Sequence, residues 1–423
     1  MQLDVRLEGV APPVGTLARF DDGGTAFLYH PDYLALPGAF PISLSLPFSS
    51  LAFPDFVTRA FFENLLQEND QLRRVLVRER LGRDDIVGIL YHVGSDCAGA
   101  LSCLPVGAPP VKVPGRLDVD YDPLPPDVID DYVDRLANRR PLPAEARDPS
   151  PVAGVQNKLS LCFYGSFAFA PKRGVGVPTT HILKVPPVGE PDAAVLELMC
   201  AELARHFGFD VAATRLQMFG PHPALVVDRF DRIRAPDGAI TRVHQEDFAQ
   251  AFGLPSALKY QRGDEGFDAP SANAVLGRTA RPALARQEFL RATVFNLAIG
   301  NNDNHAKNHA LLYDGGGAPR LAPLYDLVPV RLNPNPDISP DFAFAIGDAR
   351  RFEELRRRDL ETLMNDFGLF GEAAQRFKLD ALAPLLMDLM FAASLLEPRF
   401  SALKDLIARQ AEALAELLGV TFD

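Results

Sequence analysis

The sequence predicts an α+β protein, strand-rich in its first part and helical in its second, and three features carry that expectation. Leu3, Val5 and Leu7 alternate with polar neighbours ahead of the turn signal Asp21-Asp22-Gly23-Gly24, which reads as short strands joined by hairpins. Beyond Phe230 the apolar residues recur instead at helical spacing, over 284–299, 352–366 and most of 379–418. No internal repeat of fixed period runs through the chain, so two lobes are expected rather than a repeat array.

Within the first hundred residues, 56–66 reads as a helix and the apolar run 87–93 as a strand ending at Gly94. Prolines then cluster between Pro105 and Pro151 around a single helix at 127–138, the pattern of a connector, which sets a boundary near residue 108. Strands are expected at 159–164, 181–185 and 224–227, with a helix at 192–207. The stretch 244–252 reads as helix. The resulting partition is an N-terminal module at 1–108, the remainder of a strand-rich lobe at 109–230, and an all-helical lobe at 231–423.

A chain of 423 residues exceeds one ordinary core, and 47% hydrophobic residues suffice to fill two or three. The net charge of −12 argues against gripping nucleic acid through a broad basic surface, so any DNA contact would come through a basic partner. Cys97, Cys103, Cys162 and Cys200 lack the close paired spacing of a metal site and read as buried thiols. The start Met1-Gln2-Leu3-Asp4-Val5-Arg6 has no basic region followed by an apolar one, and no apolar run is long enough to span a bilayer. A cytoplasmic protein without membrane partners is the expectation.

The chemistry concentrates in Gly300-Asn301-Asn302-Asp303-Asn304-His305-Ala306-Lys307-Asn308, which follows an apolar helix and has the D-x-x-x-x-N spacing of a kinase catalytic loop. Asp303 would orient an incoming hydroxyl and accept its proton, and Asn308 would supply an oxygen to magnesium. His305 and Lys307, within the same loop, join the residues expected to meet the nucleotide. Further on, Asp326 ends the apolar run Leu321-Ala322-Pro323-Leu324-Tyr325, where a second oxygen ligand for a hard cation would stand. Alone it would read as a turn carboxylate; with the preceding loop it reads as a metal ligand. In His181-Ile182-Leu183-Lys184, Lys184 can reach the phosphates of ATP, although a lone strand lysine is ordinarily an exposed edge residue. Glu197, Glu202 and Glu190 are all candidates to pair with it. The loop Val152-Ala153-Gly154-Val155-Gln156-Asn157-Lys158 can drape backbone N–H groups over phosphates, and Asp228 and Phe230 lie where the strand-rich part ends and a nucleotide would meet connecting backbone. The i, i+4 spacing of His305 and His309 also admits a zinc reading, but no H-E-x-x-H glutamate accompanies it and Lys307 opposes it.

Taken together these segments resemble the HipA family of toxin kinases. The likeness rests on Ser43-Leu44-Ser45-Leu46-Pro47, Phe61-Phe62-Glu63-Asn64-Leu65-Leu66, Asp96-Cys97-Ala98-Gly99-Ala100-Leu101, Ala153 to Lys158, His181 to Lys184, His244-Gln245-Glu246-Asp247-Phe248 and Gly300 to Asn308, in that order. The resemblance implies a two-lobed protein-kinase-like fold with an extra N-terminal module, ATP and Mg2+ as cofactors, and a serine of a cytosolic protein as acceptor. An aminoacyl-tRNA synthetase, notably glutamyl-tRNA synthetase, is the implied target, and its modification would arrest growth. A HipB-like helix-turn-helix antitoxin is the implied partner, with DNA reached only through it. Carried over, Lys184 is similar to the nucleotide lysine, Asp303 to the catalytic acid, Asn308 and Asp326 to the metal ligands, and Asp228 and Phe230 to the adenine-contacting positions. Family members carry an autophosphorylated serine before Ala153-Gly154; here Pro151 takes the aligned place and Ser150 precedes it, so Ser150 is the candidate. Two other readings stay open: a kinase-shaped corepressor acting through a HipB-like antitoxin, and a small-molecule kinase.

Overall fold

The computed structural model describes residues 1–66, 70–143, 146, 158–190, 192–315, 317–335 and 337–420. The chain divides into two compact units, one made of 1–195, 213–256 and 311–319, the other of 196–212, 257–310 and 320–423.

In the first unit, β1 (Gln2–Leu7), β2 (Gly15–Arg19), β3 (Thr25–Tyr29) and β4 (Leu101–Pro105) form an antiparallel sheet in the order β3-β2-β1-β4. Between β3 and β4 run α1 (Pro31–Leu34), α2 (Asp55–Glu63), α3 (Asp70–Glu79) and α4 (Ile86–Val93). Leu3, Val5, Leu17 and Phe27 from the strands pack with Phe61, Phe62, Ile89 and Leu90 from the helices. The strand expected at 87–93 is therefore a helix. A short apolar run does not by itself separate the two, and the local chemistry decides: the Asp85 carboxylate caps the helix by accepting from Gly88 N at 2.9 Å.

Next come β5 (Gly115–Arg116), α5 (Leu117–Asp120), β6 (Tyr121–Leu124), α6 (Pro126–Ala137), β7 (Lys158–Tyr164), β8 (Phe167–Pro171) and β9 (His181–Lys184). After α7 (Ala193–His206) follow β10 (Thr214–Phe219) and β11 (His222–Asp228), completing a sheet of order β10-β11-β9-β7-β8-β6. Helix α6 covers one face, with Ile129 and Val133 against Leu159, Leu161, Leu183 and Val185. Because strand side chains alternate, Lys158 and Lys184 stand on the opposite face.

Beyond residue 230 the chain is not helical throughout. β12 (Arg232–Arg234) and β13 (Ala239–Arg242) join β5 in a small sheet, and β14 (His244–Asp247) precedes α8 (Phe248–Phe252) and lies beside β15 (Ala310–Tyr313). The helix expected over 244–252 thus begins only at Phe248, where Asp247 and Gln250 form a capping box. Before it, His244 and Glu246 alternate inward with period two, but their polar character hides that period from a hydrophobicity pattern. In the second unit, α9 (Ala269–Leu276), α10 (Pro282–Ile299), β16 (Arg320–Leu321), α11 (Arg357–Asp366), α12 (Gly371–Phe377), α13 (Ala383–Ser394) and α14 (Ser401–Leu418) follow in order. The last turns of α10 are buried all round, as a central helix requires. No helix among the described residues is long and apolar enough to cross a membrane.

Buried charge fastens the N-terminal sheet to the rest of the first unit. Glu8 accepts from Arg242 Nη1 at 2.6 Å and from its backbone N–H at 2.9 Å. Lys112 reaches Asp96 at 3.1 Å and the carbonyls of Cys97 and Gly99 at 2.6 and 3.1 Å. Asp231 is held between Arg229 and Arg232, at 2.9 and 2.7 Å. Burial would raise its carboxyl, but the two guanidiniums outweigh that and hold it far below the usual range. Burial in turn pulls Arg232 down to about 9. A buried ion stripped of its partner costs about 3–5 kcal/mol, and Glu8 and Arg242 are each only 3% exposed. Arg242→Ala is therefore expected to lose that amount in chemical denaturation; a loss under about 1 kcal/mol would show that Glu8 is resolvated instead.

Glu246 is the second fastening. Its carboxylate accepts from Ser43 Oγ at 2.5 Å, Leu44 N at 3.0 Å and the Tyr313 hydroxyl. Burial dominates these three donors and raises it to about 7. The folded state thus keeps a proton that the unfolded chain has released between about pH 4.5 and pH 7, so this group's stabilisation is complete below the first value and is lost as pH rises through the second. His244, lowered by burial to about 4, acts with the opposite sign over an overlapping window. The stability difference between wild type and Glu246→Gln isolates the glutamate: it is expected to move against wild type by about 2–3 kcal/mol from pH 4.5 to pH 7.5, and a flat difference would refute the raised carboxyl.

Candidate active site

The catalytic-loop segment begins where α10 stops. Gly300 takes the left-handed conformation at φ 74, and a Cβ there would lie 2.8 Å from Leu406 Cδ2 and 3.2 Å from Arg331 Cβ, so glycine alone both ends the helix and admits its neighbours. The next residue, Asn301, is 5% exposed and uses its whole amide. Its Nδ2 donates to Asn296 Oδ1 at 2.8 Å and to the Asp326 carbonyl at 3.1 Å, while its Oδ1 accepts from Asp303 N at 3.2 Å. One side chain therefore fixes the backbone of both acids picked out by the sequence.

The loop then closes on itself. The Asp303 carbonyl accepts from His305 N at 2.8 Å and from Asn308 Nδ2 at 2.7 Å. With its amide nitrogen engaged, Asn308 has Oδ1 as the atom to offer a cation. Ala306–Asn308 is a single helical turn, so His305 and His309 do not share a helix face as a zinc pair would. His309 is buried against the rings of Phe289 and Phe267, at 4.7 and 6.1 Å, and burial together with His305 lowers it to about 3. His305 is lowered chiefly by burial, and Lys259 adds to the effect, while Asp303 and Asp326 oppose it.

Asp326 sits at φ 55, one of the non-glycine residues in the left-handed region, where aspartate is tolerated at a cost of about 1 kcal/mol. What holds it there is visible. Leu324 exchanges backbone hydrogen bonds with Asp210 and Ala212 at 2.8 and 2.9 Å, Tyr325 donates its hydroxyl to the Lys307 carbonyl at 2.8 Å, and Asn301 takes the Asp326 carbonyl. Lys307 thus contributes its backbone to the joint between the two acid-bearing segments.

The other expected residues belong to the first unit. Lys184 is 7% exposed in β9, which is interior to its sheet and not an edge strand. Directly opposite it on β7 is Lys158. Like charges opposed across a strand pair are unfavourable, and an anion held against both would offset that. Asp228 ends β11 opposite His181, whose Nδ1 accepts from Phe163 N at 3.1 Å, so that Nε2 carries the proton and donates to Asp228 Oδ1 at 3.0 Å. Burial would raise Asp228, but His181 and then Arg215 and Arg234 hold it below the usual carboxylate range. Phe230 follows, half-buried. Val152, Ala153, Gly154, Val155, Gln156 and Ser150 lie outside the described residues.

Within the second unit, the chemistry of Asn308 and Asp326 suits a hard cation such as magnesium. Asp326 and Asn308 offer hard oxygens, the ligand type that magnesium takes alongside phosphate and water. Sequence reasoning missed Asn301 as the shared anchor and Tyr260, whose hydroxyl donates to Asp303 Oδ1 at 2.6 Å. The doubled asparagine after Gly300 was the only available signal for the first; nothing adjacent marked the second.

Comparison with known proteins decides the family. Residues 3–104 match the HipA N-terminal domain and residues 150–384 the HipA-like C-terminal domain. The chain belongs to the HipA family. The Sinorhizobium fredii protein Y4mE, which carries a kinase name, is 34% identical over 84% of both chains. The serine/threonine-protein kinase toxin HipA of Shewanella oneidensis is 28% identical over 84% of this chain and 81% of its own. In fold, the chain superposes with a TM-score of 0.79 on HipA from the Shewanella oneidensis complex of HipA, HipB and operator DNA, at 24% identity over 99% of this chain and 100% of that one. This establishes the kinase-like α+β fold expected of a HipA relative.

Removing the shared anchor tests the site's construction. Asn301→Ala strips partners from Asp303 N, Asn296 Oδ1 and the Asp326 carbonyl, and is expected to destabilise the protein by about 1–3 kcal/mol in denaturant unfolding. An unchanged midpoint would mean that water replaces the amide and that Asn301 anchors nothing.

Proposed function

We propose that this chain is an ATP- and magnesium-dependent serine/threonine protein kinase. The observation that carries the reading is the second unit's joint anchoring of Asp303 and Asp326 by Asn301, with Asn308 folded back on the same loop. Asp303 would orient the acceptor hydroxyl and take its proton as the oxygen attacks the γ-phosphate. Asn308 through Oδ1, and Asp326 through its carboxylate, would hold Mg2+, which when bound shields the phosphate charge. Lys184 and Lys158 would offset charge on the nucleotide from their shared sheet face, and Asp228, Phe230, His305 and Lys307 would contact it. The segment 152–156 would supply backbone donors to the phosphates.

Family membership supports a finer proposal. The acceptor is a serine on a cytosolic protein, an aminoacyl-tRNA synthetase such as glutamyl-tRNA synthetase, and its modification arrests translation and growth. The partner is a HipB-like antitoxin, through which the chain would reach DNA, and the setting is cytoplasmic. Ser150 is proposed as the autophosphorylation site. Functionally we retain three parts: 1–108 as the HipA N-terminal module, 109–230 for nucleotide binding, and 231–423 for the catalytic loop and metal ligands.

The test is incubation of wild type and Asp303→Asn with labelled ATP, magnesium and a cytosolic extract, with phosphosites read by mass spectrometry. Wild type is expected to modify a protein serine and Asp303→Asn to lose about 10²–10⁴-fold in rate while its thermal midpoint stays within about 3 °C. Equal phosphorylation by both proteins would contradict the assignment of Asp303.

A further inference from the structure

We infer that Tyr260 is a positioning residue for the Asp303 carboxylate, holding it in the orientation that receives the acceptor hydroxyl. The inference rests on the kinase reading of Asp303. The backbone of Asp303 is fixed by Asn301, His305 and Asn308, but none of those contacts restrains its side chain. The Tyr260 hydroxyl does so, donating to Oδ1 at 2.6 Å and leaving Oδ2 as the oxygen turned to other duties. A hydrogen bond to one carboxylate oxygen limits rotation of the group and so fixes where the second oxygen stands, which is how an orienting contact reduces the number of unproductive geometries.

Tyr260 is itself built to stay in place. Its neighbour Lys259 accepts from Ala306 N of the catalytic loop at 3.1 Å, and on the other side Gln261 donates from its backbone to the Ala343 carbonyl at 2.8 Å and accepts from Ala345 N through Oε1 at 2.7 Å. The ring meets His305 edge-on, with centroids 4.9 Å apart, and the Lys259 ammonium lies 5.6 Å from the ring centroid. Gly266, at φ 93, passes so close that a Cβ would fall 2.2 Å from the Tyr260 carbonyl, so the turn that carries the tyrosine closes only with glycine there. A phenol this constrained can serve as a fixed hydrogen-bond donor rather than a mobile surface group.

Tyr260→Phe deletes the hydroxyl and keeps the ring packing. Initial rates of phosphate transfer from labelled ATP into a dephosphorylated cytosolic extract are compared for wild type, Tyr260→Phe and Asp303→Asn, with the KM for ATP and the thermal midpoint measured alongside. Expected is a turnover about tenfold lower in Tyr260→Phe, the effect of one lost orienting hydrogen bond, with KM for ATP within about twofold and the midpoint unchanged. Wild-type turnover in Tyr260→Phe beside an inactive Asp303→Asn would overturn the inference and leave the kinase reading standing. A rise in turnover would overturn it too, marking Tyr260 as an obstruction, as would a rate loss matched by a rise in KM and a fall in midpoint. No transfer by wild type would sink the kinase reading, and this inference with it.

Discussion

The second unit turns on one amide. Asn301 binds the backbone of Asp303 and of Asp326 through opposite ends of the same side chain, so one planar group ties the two acid-bearing segments together, seconded by the Tyr325 hydroxyl on the Lys307 carbonyl. Everything adjacent follows from getting that residue to its place. Helix α10 must be buried enough to be immobile, Gly300 must end it in the left-handed conformation, and Asn296 on its last turn must offer an oxygen to complete the amide's bonding. The left-handed backbone at Asp326 is then held by neighbours whose own hydrogen bonds run elsewhere in the unit, which is how local strain is kept at a working site.

The first unit solves a different problem, that of keeping lysines on the interior of a sheet. Helix α6 takes the apolar face of β7 and β9, and the alternation of the strands delivers Lys158 and Lys184 to the other face as opposed partners. The N-terminal module is fastened to the rest of this unit by buried polar contacts, Glu8 with Arg242, Asp96 with Lys112 and Glu246 with Ser43 and Tyr313, beside the stacking of Phe40 on Tyr313. Such contacts are poor as net stabilisers but costly to break singly, so they fix geometry more than they add stability.

What could be read from the residues were candidates marked by a rigid local spacing. Asp303 and Asn308 lie on one short loop whose separation is itself the signal, and Asp326 and Lys184 end or occupy recognisable apolar runs. The α+β class was legible for the same reason, since alternation near Leu3 and helical periodicity in 284–299 are local properties. The misses share one cause, that the deciding partner is distant in sequence or polar. The run 87–93 became a helix through an aspartate cap; 244–247 became a strand because β15 lies beside it; Tyr260 stands forty-odd residues from Asp303 and is brought to it by the bonds of its neighbours, Lys259 to Ala306 and Gln261 to Ala343 and Ala345. No pattern of hydrophobicity encodes those meetings.

On the proposed function, Asp326 keeps its strained backbone because its carboxylate serves as a metal ligand for a nucleotide. Titrating ATP calorimetrically into wild type and Asp326→Asn, each with magnesium and with a chelator, tests it most directly, because asparagine accepts the same left-handed backbone and removes only the charge. Magnesium is expected to tighten ATP binding at least about tenfold in wild type, about 1.4 kcal/mol, and this gain to disappear in Asp326→Asn. An identical magnesium dependence in both proteins would contradict it.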